Sequence, residues 1–125
     1  MDLTGFLTAR LDEDEHWAHM AEAGWPPENA LAASADPEHY PLMATDITPS
    51  KATFIRRHDP ARVLREVDAK RKILALHACE FVRVQQPGVR YQCSGCSQEW
   101  WPCQTLKALA AVWSDHPDYD PAWKA

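Results

Sequence analysis

His77-Ala78-Cys79, then Cys93-Ser94-Gly95-Cys96, then Cys103: these three stretches decide how the second half of the chain folds. Two thiols separated by two small residues can turn toward one tetrahedral ion, and a later element can complete the set. Gly95 is expected to let that turn adopt a positive φ so that both sulfurs point inward. Cys103 falls at the expected start of a helix, where free amides favour a thiolate. The spacing predicts a zinc site of Cys93, Cys96, Cys103 and a fourth ligand. His77 is the expected fourth, on the inward face with Ile73 and Leu74. Cys79 is the alternative, giving an all-thiolate site. Four protein ligands make a closed, structural site, because catalytic zinc keeps one position for water. Two disulfides in an exported domain, or a redox C-x-x-C, are the competing readings. The first lacks a secretory signal and the second lacks the βαβ setting in which such a motif opens a helix.

Working outward, Glu80–Val84 and Val89–Cys93 read as strands around the turn Pro87-Gly88, and Gln98–Trp101 as a third short strand. A last helix is expected over about 103–113, burying Leu106, Leu109, Ala110 and Trp113, with Tyr119 and Trp123 folding back as anchors. Upstream, Asp59-Pro60 is a helix start: an aspartate cap, then a proline whose missing N–H needs no partner. That helix should run to about Ala78, with Val63, Leu64, Val67, Leu74 and Ala78 on one face. Leu3, Phe6, Leu7 and Leu11 have helical spacing over residues 2–22, extended by Trp17, Ala18 and Ala21, and Gly24 with Trp25-Pro26-Pro27 stops the helix. Residues 24–52 carry five prolines and no period. They read either as an irregular wrapping loop with a short strand or as a partly mobile insertion. The fold class is therefore α+β in a single domain over 1–125. Its parts are a helix in 1–23, the irregular 24–52, a central helix in 59–79, a zinc-bound hairpin and helix in 80–114, and a tail in 115–125.

The chain has 125 residues and a net charge of −5, with 46% apolar residues, enough for one small core that a metal cross-link would help. It has no apolar run of about 18 residues, so no membrane span is expected. The absence of a secretory signal points to a reducing cytoplasm, where thiols bind metal more often than they pair. Charge is uneven: residues 1–50 hold ten acids and one base, while 51–90 hold ten bases and four acids. The basic set includes Arg56, Arg57, Arg62 and Arg65, with Lys70, Arg71 and Lys72 beyond. These residues could contact nucleic-acid phosphates. They could equally pair with the acids of residues 12–15, which is the favoured reading. His16 and His19 could form half of a metal site beside Asp12 and Glu15, but a solvated helix face is the default. Glycine loops for phosphate and a nucleophile elbow are absent.

These segments resemble a family of uncharacterised small proteins of actinobacteria and their phages, domain-of-unknown-function family 6221. The resemblance is carried by Phe6-Leu7-Thr8-Ala9-Arg10-Leu11-Asp12-Glu13-Asp14-Glu15, by Arg57-His58-Asp59-Pro60-Ala61-Arg62-Val63-Leu64-Arg65-Glu66-Val67, and by Lys70-Arg71-Lys72-Ile73-Leu74 with His77. At the end it rests on Trp101-Pro102-Cys103-Gln104-Thr105-Leu106 and Asp115-His116-Pro117-Asp118-Tyr119. The resemblance implies a complete soluble protein and favours His77 over Cys79 as ligand. It implies no activity or catalytic residue. The expected function is a small zinc-stabilised, non-enzymatic interaction module that binds a protein partner, as an accessory protein of phage or host. A nucleic-acid-binding zinc protein is the second reading and a metal-dependent hydrolase the third.

Overall fold

The computed structural model describes residues 1–25, 48–83, 89–96 and 100–125. In chain order these form α1 (Leu3–Glu22), α2 (Pro49–Arg57), α3 (Pro60–Leu76), β1 (Cys79–Arg83), β2 (Val89–Cys93) and α4 (Gln104–Ala110). Short 3₁₀ turns follow at Ala111–Trp113 and Pro121–Trp123. The fold is α+β: four helices among the described residues and one small antiparallel hairpin, β1 against β2. The expected short strand within 24–52 and the Pro87-Gly88 turn lie outside the described residues. So does most of the expected third strand, although Trp100 forms a bridge to Gln92 and the Trp101 amide donates to the Tyr91 carbonyl at 3.1 Å.

The helix ends follow local chemistry. Asp2 accepts from the Gly5 amide at 2.8 Å and opens α1. Gly24, at φ 74°, closes it in a conformation that costs a side chain about 1–2 kcal/mol. Asp59 accepts from the Arg62 amide at 2.8 Å and starts α3 one residue ahead of Pro60. A helix appears where the irregular segment was expected to continue. Thr48 accepts from the Lys51 amide at 3.3 Å and Pro49 takes the first helical position, so α2 has the same kind of start as α3. Counting prolines as breakers hid it, because a proline just after a threonine begins a helix. The end of α3 also differs from expectation. It stops at Leu76, two residues early; Ala78 is exposed, off the helix, and Cys79 begins β1.

The chain divides into two compact units. One, Met1–Glu13 with Val67–Ala125, holds the main core. Leu3, Phe6 and Leu7 of α1 pack with Cys93, Cys103, Leu106, Ala110 and Trp123, and Leu74, Trp113 and Tyr119 flank them. Phe6 meets Trp123 at 5.1 Å between ring centroids and Tyr119 at 5.9 Å, so the C-terminal tail folds back onto α1. Arg71 binds Asp12 at 2.7 Å within this unit. The other unit, Asp14–Glu66, buries Ala18, Ala52 and Pro60. It contains a cavity of about 240 Å³ whose lining includes Asp14, Trp17, Trp25 and His58. The apolar stripe of α1 does not continue as expected. Ala18 is buried, but Trp17 is 67% exposed and Ala21 faces solvent, because the stripe from Leu3 through Phe6, Leu7 and Leu11 reaches Ala18 on the same helical face and leaves Trp17 about 100° away.

Candidate metal centre

The residues that converge come from four different places. His77 follows the end of α3, where its amide donates to the Leu74 carbonyl at 3.2 Å. Cys93 is the last residue of β2, Cys96 closes the turn after it, and Cys103 caps α4. Their ligand atoms lie within 4.8 Å of one another. His77 Nδ1 is 3.3 Å from Cys93 Sγ, 3.3 Å from Cys96 Sγ and 3.6 Å from Cys103 Sγ. One ring nitrogen carries at most one proton, so it cannot donate to three sulfurs at once. A tetrahedral ion with sulfur at about 2.3 Å and nitrogen at about 2.0–2.1 Å would hold its N and S ligands roughly 3.5–3.6 Å apart. The observed distances fit that requirement, and the donor set of one imidazole and three thiols fits a borderline-soft ion. These four residues could hold a metal ion. Cys79 is not among them.

The hairpin delivers Cys93 and Cys96 because its turn is pressed against the end of α3. The Ser94 amide donates to the Ala78 carbonyl at 2.8 Å, and the Ser94 hydroxyl to the Leu76 carbonyl at 3.3 Å. Gly95 serves a different purpose from the positive φ expected of it; among the described glycines only Gly24 has one. A Cβ on Gly95 would lie 2.2 Å from the Leu76 carbonyl oxygen and 3.1 Å from His77 Nδ1. Glycine is needed there for close approach, and that approach brings the imidazole to the sulfurs.

Three thiols in one buried corner cannot all behave alike. Burial, with the neighbouring sulfurs of Cys103 and Cys93, pushes the Cys96 thiol up to about 11. Burial also pushes Cys103 up, but the Leu106 amide, the Cys93 and Cys96 sulfurs and the Thr105 amide outweigh it and leave its pKa below the ordinary thiol value. Cys79 is exposed on β1, and its pKa is raised by partial desolvation, then by the charges of Asp2 and Cys93.

The other candidate residues do not join this cluster. His16 packs edge-on against Trp17 at 5.2 Å, and His19 pairs with Glu22 at 3.2 Å; both are exposed, and among the described residues neither belongs to a metal-capable group. Arg56 and Arg57 end α2, half-buried and exposed respectively. On α3, Arg62 binds Glu66 at 2.8 Å and the Arg57 carbonyl at 2.7 Å, while Arg65 is exposed. Arg10 is a residue that composition and motif reasoning missed. It is 6% exposed, contacts both ring nitrogens of His116 and binds Glu13 at 3.0 Å. The Asp118 amide also donates to His116 Nδ1, at 3.1 Å. The signal was available: Arg10 falls inside the Leu3, Phe6, Leu7, Leu11 stripe, so helical period alone places it inward.

A family model described as "Family of unknown function (DUF6221)" matches residues 1–125. No curated protein and no solved structure matches the chain.

Proposed function

We propose a structural role for the metal centre, from the premise that the chain belongs to the family of unknown function DUF6221 over residues 1–125, a membership that brings no activity with it. The ion is zinc, and the protein is a zinc-stabilised, non-enzymatic module that binds a protein partner. One observation carries this reading: four protein donors meet within 4.8 Å. A tetrahedral ion held by all four keeps no position for a water nucleophile, and such closed sites serve folding. The placement of the thiols supports it too, since Cys93 and Cys103 belong to the buried core itself. Elemental analysis of the purified chain should find one zinc per molecule. Four thiols paired as two disulfides, with no metal, would sink the reading. Affinity capture from the native cell should recover a protein with the metal-loaded chain and lose it with a Cys96→Ser variant.

Nucleic acid is the competing partner. At least three of the seven bases of residues 56–72 are held by carboxylates: Arg62 by Glu66, Arg71 by Asp12 and Lys72 by Asp68. Lys70 lies over the Trp113 ring at 5.1 Å. A phosphate would have to displace these partners. DNA or RNA binding should therefore be nonspecific and weaker than about 1 μM at physiological salt. A titration giving nanomolar affinity for any defined oligonucleotide would replace the protein-partner reading.

A further inference from the structure

We propose that Cys79 is a redox handle on the metal centre: a hydroperoxide converts Cys79 and Cys93 into a cross-strand disulfide, which withdraws one of the four ligands and releases the ion. The proposal rests on the metal-centre reading above and adds its regulation.

Register carries the argument. Cys79 stands directly opposite Cys93 in the hairpin. The Ser94 amide donates to the Ala78 carbonyl at 2.8 Å, just outside this pair. That bond marks Cys79 and Cys93 as a non-hydrogen-bonded pair, whose side chains share a face and whose Cα atoms come to about 4.5 Å. A disulfide tolerates Cα separations of about 4.4–6.8 Å, so the bridge forms without moving the strands apart. The two thiols also differ in access. Cys93 is buried and is one of the four converging ligands. Cys79 is the exposed one of the four thiols and is outside the ligand set. An oxidant from solvent meets Cys79 first.

The chemistry balances with the hydroperoxide as the two-electron oxidant. The Cys79 sulfur, giving up its proton, attacks hydrogen peroxide, the simplest hydroperoxide; the O–O bond breaks, one water leaves and Cys79 becomes a sulfenic acid. The Cys93 thiolate then attacks Cys79 Sγ. The S–S bond forms, the S–O bond breaks, and the departing hydroxide takes a proton to become a second water. Two thiol sulfurs are oxidised and one peroxide is reduced. Cys93 no longer has a thiolate to give, and His77, Cys96 and Cys103 are left as three ligands.

The test treats the full metal-loaded chain with hydrogen peroxide in the presence of a chromogenic chelator, then maps disulfides by mass spectrometry. Metal release should rise in step with a Cys79–Cys93 bridge. Cys79→Ser, whose metal content before treatment reports that it is folded, should release metal at least about fivefold more slowly, since its metal-bound thiolates must then be oxidised directly. Release from Cys79→Ser at the wild-type rate would overturn the proposal. So would a bridge mapped to Cys93–Cys96 or Cys96–Cys103 in the wild-type chain. An untreated chain without metal would sink the metal-centre reading and with it the release step. Mapping on that same sample would still judge the pairing separately, by the presence or absence of the Cys79–Cys93 bridge.

Discussion

Gly24 and Gly95 are both glycines that a substitution would harm, for unrelated reasons. At Gly24 a side chain would meet nothing within 4 Å, and the φ of 74° is the whole cost. At Gly95 the backbone is unremarkable in φ, and the cost is collision with the Leu76 carbonyl. Gly95→Ala should therefore destabilise by about 1–3 kcal/mol, the usual cost of overpacking, and should also weaken metal binding because His77 must move. Gly24→Ala should cost about 1–2 kcal/mol and leave metal affinity unchanged. Urea unfolding and a competitive chelator titration on each variant separate the two cases. His77 and Cys79 form a second contrasting pair. His77→Ala removes an atom at 3.3 Å from two sulfurs and should weaken metal binding by more than the roughly 10–100-fold typical of indirect partners. Cys79→Ser should retain the metal. The reverse outcome in the same titration would establish the all-thiolate site.

An early stop in α3 decides which residue joins the three thiols. Had the helix run through Ala78, His77 and Cys79 would have pointed about 200° apart. Ending at Leu76 instead frees His77 to turn toward the hairpin and puts Cys79 into β1 opposite Cys93. The start of α4 supplies the second device. The amides of Leu106 and Thr105 favour a thiolate on Cys103, whereas Cys96 has its pKa pushed up to about 11. At neutral pH the metal-free site thus keeps a proton on Cys96 that an incoming ion must displace. Binding releases this proton, so affinity must rise with pH. Each pH unit below 11 should raise the apparent affinity by about tenfold for this one proton, and more if others leave with it. Chelator competition at several pH values, with proton release followed in weak buffer, checks the sign and the slope. A pH-independent affinity would mean that Cys96 is not a ligand.

At the scale of the molecule, the candidate metal centre and the main core are one object. Cys93 and Cys103 pack in the same cluster as Leu3, Phe6, Leu7 and Leu106, with Cys96 against it. Structural zinc contributes an apparent ~10–16 kcal/mol of binding energy in small zinc domains, comparable to the ~5–15 kcal/mol total stability of a typical domain. Removing the ion should therefore unfold residues 77–113 and leave 2–22 and 60–76 as residual helices. Circular dichroism in chelator should show partial loss of helix, and exchange of the β1 and β2 amides should become fast. Thermal melting unchanged by chelator would show the ion to be incidental to the fold.

Local chemistry was legible in the sequence where it is local in space. Asp59-Pro60 marked the start of α3, Gly24 the stop of α1, and the C-x-x-C turn with Cys103 marked three members of the cluster, because caps, turns and short ligand spacings act within a few residues. The Phe6, Leu7 and Leu106 positions followed from helical period. The tertiary structure decided what depends on distant segments meeting. It ended α3 at Leu76, where the Ser94 and Gly95 backbone needs the space and the carbonyls of Leu76 and Ala78. It gave Arg10, which helical period already turns inward, its partners, because His116 and Asp118 arrive from the far end of the chain to receive it. Period and caps describe a chain one segment at a time. A donor cluster drawn from a helix end, a strand end, a turn and a helix cap is complete only when those four backbones are packed together.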